Sequence, residues 1–229
     1  MTTMYTQEKT CAVCARPAEV IVVGSSNEFG SKDLDLRPAE MLRSTYAHWT
    51  EHCSNCGYCA SDISEPDEYA ATVVQSDEYQ AQLTDKNFPH LANIFLCEAM
   101  ILKAGGHHVA TGFAYLHAAW ACDDDGNAPE ARNCRLHSLA EFESVRASGE
   151  SILGEPIADY ILLADLQRRA GEFDFAAATC VEGISKSTDA KLNNIIRFQQ
   201  YLSAIQDSKV HKVEEAFKWA EEQSQRVVE

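Results

Sequence analysis

The order of hydrophobic and polar residues divides the chain into two unlike parts. Residues 20–23 are a short β-branched run that predicts a strand, and Gly24 ends it. Pro38 stands where a first helical turn would begin, so a short helix is expected over residues 38–49. From residue 66 onward the apolar positions recur with helical spacing. The pattern therefore predicts a β-rich first part with one inserted helix and an all-α second part.

The second part is predicted to hold a series of helices separated by turn residues. Gly105-Gly106, Gly126 and Gly149 mark three of the breaks, and Gly154-Glu155-Pro156 marks another. The helices are expected over residues 66–74, 76–84, 88–104, 108–123, 129–147, 156–170, 173–186, 189–206 and 210–225.

An internal similarity appears when the helical part is shifted by 45 residues. The matching pairs are Tyr115 with Tyr160, Ala119 with Ala164, Gly126 with Gly171, and Ala131 with Ala176. A large residue, a small residue and a turn glycine in this order suit two packed helices, and the phrase from Tyr160 to Gly183 resembles a tetratricopeptide (TPR) repeat. The period exceeds the usual value of about 34 residues, and Thr188 stands where a proline is common. The alternative is an ordinary helical bundle with chance similarity.

Composition and charge narrow the range of functions. The 19 Lys and Arg against 35 Asp and Glu give a formal net charge of −16. Phosphate-backbone binding depends on clustered Lys and Arg, so no nucleic-acid partner is expected. The first residues lack the pattern of a signal peptide, and no apolar stretch is long enough for a membrane span. We therefore expect a cytoplasmic location and no membrane partner.

Nine cysteines are present, and five of them lie in the first 60 residues. The odd count does not suit a fully paired disulfide framework. It favours free thiols in a reducing compartment. Cys11 with Cys14, and Cys53 with Cys56, form two C-x-x-C pairs. Two such turns complete a tetrahedral four-sulfur site, the geometry of structural Zn²⁺. The sequence therefore predicts a closed zinc site on these four residues.

Other interpretations of the same residues stay open at this point. Iron in a rubredoxin-like site uses the same four sulfurs, although zinc is preferred. A redox C-x-x-C does not need a second pair. His48 and His52 would allow a mixed site with Cys53 and Cys56, but that arrangement leaves the first pair without a function. Cys59 is expected to be a buried neighbour of the site. The remaining cysteines are expected to lie on helices as small apolar residues or an occasional surface thiol: Cys97, Cys122, Cys134 and Cys180.

The stretch between the two pairs carries a second candidate site. Asp33, Asp35 and Arg37 lie in a polar loop that would suit a small polar ligand or a peptide end, with Arg37 on a carboxylate and an aspartate on an amine. The structural alternative is that Asp35 caps the helix that begins at Pro38 while Arg37 pairs with Asp35 or Asp33.

Together, the frame C-x-x-C…C-x-x-C-G with Tyr58, the loop with Ser25, Ser26 and residues 33–35, and the helix with Ala118-Ala119-Trp120 resemble an uncharacterised bacterial family. That family has an N-terminal module like a zinc ribbon and TPR-like helices, and no established activity. Ala15 departs from such ribbons, which often have glycine after the first pair.

The prediction is a mainly α protein: an antiparallel helical-repeat (TPR-like) array with a small N-terminal β-rich zinc-ribbon-like module. The module is expected over residues 1–65 and the all-α domain over residues 66–229. A four-sulfur shell has no open position for activating water. The preferred function is therefore a non-enzymatic zinc-binding scaffold that recognises a protein or peptide through its helical repeats, with a basic partner favoured by the charge. The alternative is a small-molecule-binding protein or enzyme with its site at Asp33–Arg37.

Overall fold

The computed structural model describes residues 1–226, and most of their regular structure is helical. The strands pair in two antiparallel ribbons: β1 (Thr3–Thr10) with β2 (Pro17–Ser25), and β3 (Glu51–His52) with β4 (Cys59–Ala60). A 3₁₀-helix covers Arg43–His48. The α-helices are α1 (Ala70–Val74), α2 (Asp77–Leu83), α3 (His90–Ala104), α4 (His108–Asp124), α5 (Ala128–Ala147), α6 (Pro156–Arg169), α7 (Phe173–Lys186), α8 (Ala190–Ala204) and α9 (Val213–Arg226).

The predicted helices beyond residue 65 are confirmed, with ends that differ by a few residues. The strand predicted over residues 20–23 is the centre of β2, whereas β1 was not predicted because its mostly polar residues show no alternation. The helix predicted over residues 38–49 is confirmed only in part. Arg43–His48 is helical, as a 3₁₀-helix, and residues 38–42 are not helical.

The helical part uses one turn design four times. Gly106, Gly126, Gly149 and Gly171 all have a positive φ of 71–82°, which glycine adopts without a Cβ penalty. At each turn the glycine N–H donates to the carbonyl three residues earlier, and the next N–H donates to the carbonyl five residues before it. This is the Schellman arrangement that ends helices. The glycines at positions 126 and 171, paired by the 45-residue shift, thus have the same local structure.

The residues group into two compact units. The first contains residues 1–28 and 40–144, and the second contains residues 29–39 together with the chain from Val145 onward. The predicted domain division at residues 65/66 follows other bounds and stays a prediction. We call residues 29–39 the strap, because this segment leaves the first unit and returns to it.

In the first unit the cysteine-rich ribbons and the following helices share one core. Cys11 and Cys53 pack in it with Tyr79 of α2 and with Cys97 and Ile101 of α3. The ribbons by themselves have too little apolar surface for a core. Their fold therefore depends on α1–α3 as well as on the cysteine site.

In the second unit the strap lies against helices α6–α9. Leu34 is 1% exposed and packs in the same core as residues of α6, α7 and α8. Its N–H donates to the His211 carbonyl at 2.9 Å, and the Val213 N–H donates to the Lys32 carbonyl at 3.0 Å. The strap is thus an integral part of this unit.

Within residues 1–226, no helix combines the length and the apolar character that crossing a membrane requires.

Candidate metal centre

The first cysteine pair lies in the turn between β1 and β2. In this first knuckle (residues 11–16), the Cys11 N–H donates to the Arg16 carbonyl at 3.0 Å, and the Ala15 N–H donates to the Cys11 carbonyl at 2.9 Å. The antiparallel pairing of Thr10 with Pro17 closes the turn from outside. The short turn places both cysteine side chains on the same side of the loop.

The second pair lies in the turn between β3 and β4 and repeats this pattern. In this second knuckle (residues 53–58), the Cys53 N–H donates to the Tyr58 carbonyl at 2.8 Å, and the Gly57 N–H donates to the Cys53 carbonyl at 2.8 Å. The two knuckles therefore have equivalent backbones, with Ala15 and Gly57 at the same place. Ala15 has φ 56° and Gly57 has φ 84°.

The four sulfur atoms of the two knuckles converge. All lie within 4.8 Å of one another, with Cys11 Sγ 3.7 Å from Cys56 Sγ and Cys14 Sγ 3.8 Å from Cys53 Sγ. Zn–S bonds of about 2.3 Å at tetrahedral angles place sulfurs about 3.8 Å apart. A disulfide needs about 2.05 Å, so these are four separate thiols around a metal-sized centre. The predicted ligand set is thus brought together.

The centre is shielded from water on its inner side. Cys11 and Cys53 are fully buried, while Cys14 and Cys56 are partly exposed. The first cysteine of each knuckle therefore lies in the core, and the second lies near the surface. Four protein sulfurs leave no vacant coordination position on a tetrahedral ion.

The backbone of each knuckle is arranged to stabilise thiolates. Burial raises the pKa of Cys53, but the backbone N–H groups of Asn55 and Cys56 together with the Cys11 and Cys56 thiols lower that pKa to about 7. Burial raises the pKa of Cys11, although N–H groups of its own knuckle oppose the shift. Burial and the neighbouring thiols also raise the pKa of Cys56. A cation is needed before all four sulfurs can be ionised together.

One side chain joins the second knuckle to β2 beside the sulfurs. Asn55 Nδ2 donates to the Pro17 carbonyl at 2.9 Å and lies 3.9 Å from Cys53 Sγ. Outside the sulfurs, Lys9 Nζ lies 2.7 Å from Glu51 and 2.9 Å from Asp62, and so ties β1 to the segments around the second knuckle. Such contacts orient metal ligands before the ion binds.

Cys59 is buried and lies outside the four-sulfur group. Its Sγ is 3.3 Å from the Gly57 carbonyl, and the neighbouring Cys97 thiol together with burial raises its pKa well above the usual value. This matches the expected buried neighbour. The cysteines on the helices, Cys97, Cys122, Cys134 and Cys180, are buried as well.

The mixed site with histidines does not form among the described residues. His48 lies in the 3₁₀-helix, and His52 lies in β3 with its ring 5.9 Å from that of His90. The cluster that the structure does form uses the first cysteine pair, which the mixed site would have left unused.

The second predicted site, Asp33, Asp35 and Arg37, lies in the strap and is buried in the second unit. The exposed fractions are 1%, 0% and 8%. Asp35 Oδ2 accepts a hydrogen bond from Arg169 Nη1 at 2.9 Å, and Asp35 Oδ1 accepts from the Arg37 N–H at 3.3 Å. The expected cap on a helix from Pro38 is wrong, because no helix begins there. Ligand binding by these three residues stays a prediction.

Two residues were not predicted at all. Arg169 is 134 positions from its partner Asp35, so no local pattern connects them. Glu98 is a single acid inside the apolar helix α3, which was the one available signal. It accepts a hydrogen bond from Thr50, and burial raises its pKa to about 7.

Comparison with protein-family models gives no match, and neither the curated proteins nor the solved structures contain a significant match to this chain.

Proposed function

We propose that this protein is a non-enzymatic zinc scaffold that binds a protein or peptide partner. The observation that carries the proposal is the four-sulfur centre, whose S···S distances of 3.7 and 3.8 Å suit a tetrahedral ion. With four protein ligands, the ion would hold two knuckles together and leave no position for a substrate. Its role would be structural.

Zinc is preferred over iron on chemical grounds. A four-thiolate tetrahedron accepts either metal, but Zn²⁺ has no redox chemistry and is the usual ion of closed structural sites. The knuckles carry N–H groups directed at sulfur, which offset the negative charge of four thiolates and a divalent ion. Metal binding would supply folding free energy to two short ribbons that have little core of their own.

Partner recognition is supported by an exposed apolar stripe on α7. Phe175 is 65% exposed and Val181 57% exposed, and Ala178 lies between them on the same side of the helix. Positions three apart on a helix are neighbours, so the three side chains form one contact surface. Asp174 and Glu182 border it, and Glu182 also pairs with Lys186 Nζ at 2.6 Å.

The chemistry of this stripe indicates the class of partner. An apolar stripe bordered by acids, on a chain of net charge −16, is complementary to an amphipathic segment with Lys or Arg beside its apolar residues. The paired helices and their repeated turns suit the presentation of such a surface, as in helical-repeat proteins.

The experiment is a binding assay with defined probes. A fluorescent amphipathic peptide rich in Leu and Lys is titrated with the zinc-loaded full chain, and the same peptide with Glu in place of Lys is the charge control. We expect saturable binding of the basic peptide alone, weakened by salt and lost in Phe175→Ser with Val181→Ser.

Tyr69→Ser with Ile205→Ser removes exposed apolar side chains elsewhere and should leave binding unchanged. Equal binding of both peptides, or equal loss in both double variants, would contradict the proposal. A stoichiometric zinc content with no peptide binding would leave the metal role intact and overturn partner recognition through α7.

A further inference from the structure

The buried residue Tyr79 of α2 contacts the backbone of the second knuckle. Its hydroxyl donates to the Gly57 carbonyl at 2.8 Å and accepts from the Cys59 N–H at 3.1 Å. Gly57 directly follows Cys56, one of the four converging cysteines. The Tyr79 side chain is 0% exposed, so these hydrogen bonds are shielded from bulk water. A helix of the first unit is thus bonded to the turn that carries a candidate metal ligand.

The short hairpin of β3 and β4 does not supply these hydrogen bonds itself. Opposite residues in an antiparallel pair alternate between bonded and non-bonded pairs. Because Cys53 bonds to Tyr58, the N–H of the next residue, Cys59, points away from β3. The Cys59 thiol also lies 3.3 Å from the Gly57 carbonyl, but a thiol is a weak donor. Gly57 and Cys59 are buried, and a buried backbone group without a partner costs about as much as a lost hydrogen bond. Tyr79 therefore satisfies backbone groups that the hairpin leaves unpaired.

A second residue of α2 packs against the same knuckle. A Cβ added to Gly57 would lie 2.5 Å from Leu83 Cδ2, so Leu83 lies directly against the Gly57 backbone. Tyr79 and Leu83 are four positions apart and therefore share one face of the helix. Ser76 caps α2 by accepting from the Tyr79 N–H at 3.2 Å, which fixes the start of the helix at the residue that contacts the knuckle. Helix and knuckle are thus joined by a polar contact and an apolar one.

We propose that Tyr79 is a positioning residue of the metal centre, so that metal binding and the packing of α2 stabilise each other. This inference rests on the proposed zinc site. Gly57, with φ 84° and its N–H on the Cys53 carbonyl, forms the turn that brings Cys56 to the ion. The Tyr79 hydroxyl holds that turn in place before the ion binds, and such partners of a metal site typically contribute about 10–100-fold to metal affinity. Because coupling between two sites is reciprocal, removal of the metal must in turn loosen α2.

The first test is the zinc dissociation constant of the full chain, measured by competition with a chromophoric chelator. Tyr79→Phe removes only the hydroxyl and should raise this constant by roughly tenfold or more. Tyr58→Phe is the matched control, because its hydroxyl donates to the Glu65 carbonyl at 3.3 Å and to none of the knuckle backbone. It should bind zinc like the wild type. With Co²⁺ in place of zinc, Tyr79→Phe should shift the absorption bands of the bound ion, and Tyr58→Phe should not.

A purely structural role of the hydroxyl predicts a different result. Its loss would then lower the free energy of unfolding equally in the zinc-loaded and the zinc-free chain. A positioning role makes the loss larger in the zinc-loaded chain, by about 1.4 kcal/mol for a tenfold change in the dissociation constant. Urea denaturation of Tyr79→Phe and wild type, with and without zinc, measures this difference.

Hydrogen exchange of the wild type tests the reciprocal effect and needs no variant to fold. Removing zinc with a chelator should speed amide exchange in α2, whereas α7 of the second unit should exchange as before. The effect of zinc on α2 should be smaller in Tyr79→Phe. An unchanged dissociation constant in Tyr79→Phe, an equal rise in Tyr58→Phe, or exchange in α2 that does not respond to zinc would overturn the coupling and leave the zinc site intact. A wild-type chain that binds no zinc would overturn the proposed function and this inference with it.

Discussion

Ala15 and Gly57 occupy equivalent positions in the two knuckles. Each donates its N–H to the carbonyl of the first cysteine of its pair, and each has a positive φ, 56° and 84°. Glycine adopts this conformation freely, whereas alanine has a steric cost of roughly 1–2 kcal/mol. The first knuckle thus forms with a residue that its backbone does not favour.

Substitutions at this pair of positions should therefore have opposite effects. Ala15→Gly relieves the unfavourable conformation but adds flexibility to the unfolded chain, for a net gain of roughly 0.5–1 kcal/mol in the free energy of unfolding. Gly57→Ala should lose at least about 1–2 kcal/mol. It brings the same strain, and its Cβ would lie 2.5 Å from Leu83 Cδ2. Urea denaturation of the metal-loaded protein measures both values, and a loss in Ala15→Gly equal to that in Gly57→Ala would contradict equivalence.

The ion pair between Asp35 and Arg169 should be important for the second unit. Both side chains are buried, at 0% and 8% exposed. Arg169→Ala leaves the Asp35 carboxylate without this charge partner, and breaking a buried pair typically costs about 3–5 kcal/mol. We expect a loss of that order in the free energy of unfolding.

The control for Arg169→Ala is an ion pair on the protein surface. Lys218→Ala removes the 3.6 Å contact with Glu214 on α9 and should cost under about 1 kcal/mol. Differential scanning calorimetry measures the melting temperatures of both variants, and Arg169→Ala should melt at the lower temperature. If Arg169→Ala melts like Lys218→Ala, the strap is not held by this pair.

Glu98 should make stability depend on pH in a direction unusual for an acid. Its pKa is raised from 4.5 to about 7 by burial. Between these values the folded state holds a proton that the unfolded state has released. The contribution of Glu98 to stability therefore falls as pH rises from about 4.5 to about 7 and is constant above that. The full loss would be roughly 3 kcal/mol.

Glu98→Gln keeps the size and shape of the side chain and removes its ionisable group. Relative to wild type, the variant should become progressively more stable as pH rises through this range. Glu222→Gln, on an exposed position of α9, should follow the wild type. Urea midpoints at a series of pH values give the comparison, and parallel curves for Glu98→Gln and wild type would disprove a raised pKa.

The helices were predicted well because their ends are set by residues within a few positions of each end. The glycines at positions 106, 126 and 171 end helices through their own φ preference, and Asp189 caps α8 by accepting from the Lys191 and Leu192 N–H groups. The cysteine pairs were equally informative, because a C-x-x-C turn fixes its own sulfur geometry.

The features that were missed depend on distant contacts. β1 has no hydrophobic alternation, since its pairing with β2 does not bury it. The strap was expected to lead into a helix, but Leu34 packs in the core of the second unit and Asp35 pairs with Arg169. The separation of 134 residues gives a single sequence no periodicity from which to predict that contact.

The claim that four cysteines hold one structural metal ion is tested most directly by X-ray absorption of protein purified without chelators, combined with elemental analysis. We predict about one zinc per chain, with four sulfur neighbours at about 2.3 Å and no nitrogen or oxygen. Cys14→Ser with Cys56→Ser should lower the zinc content to near zero, whereas Cys59→Ser should not. A zinc content well below one per chain, an iron edge in place of zinc, or a light-atom ligand in the first coordination sphere would contradict the closed zinc site.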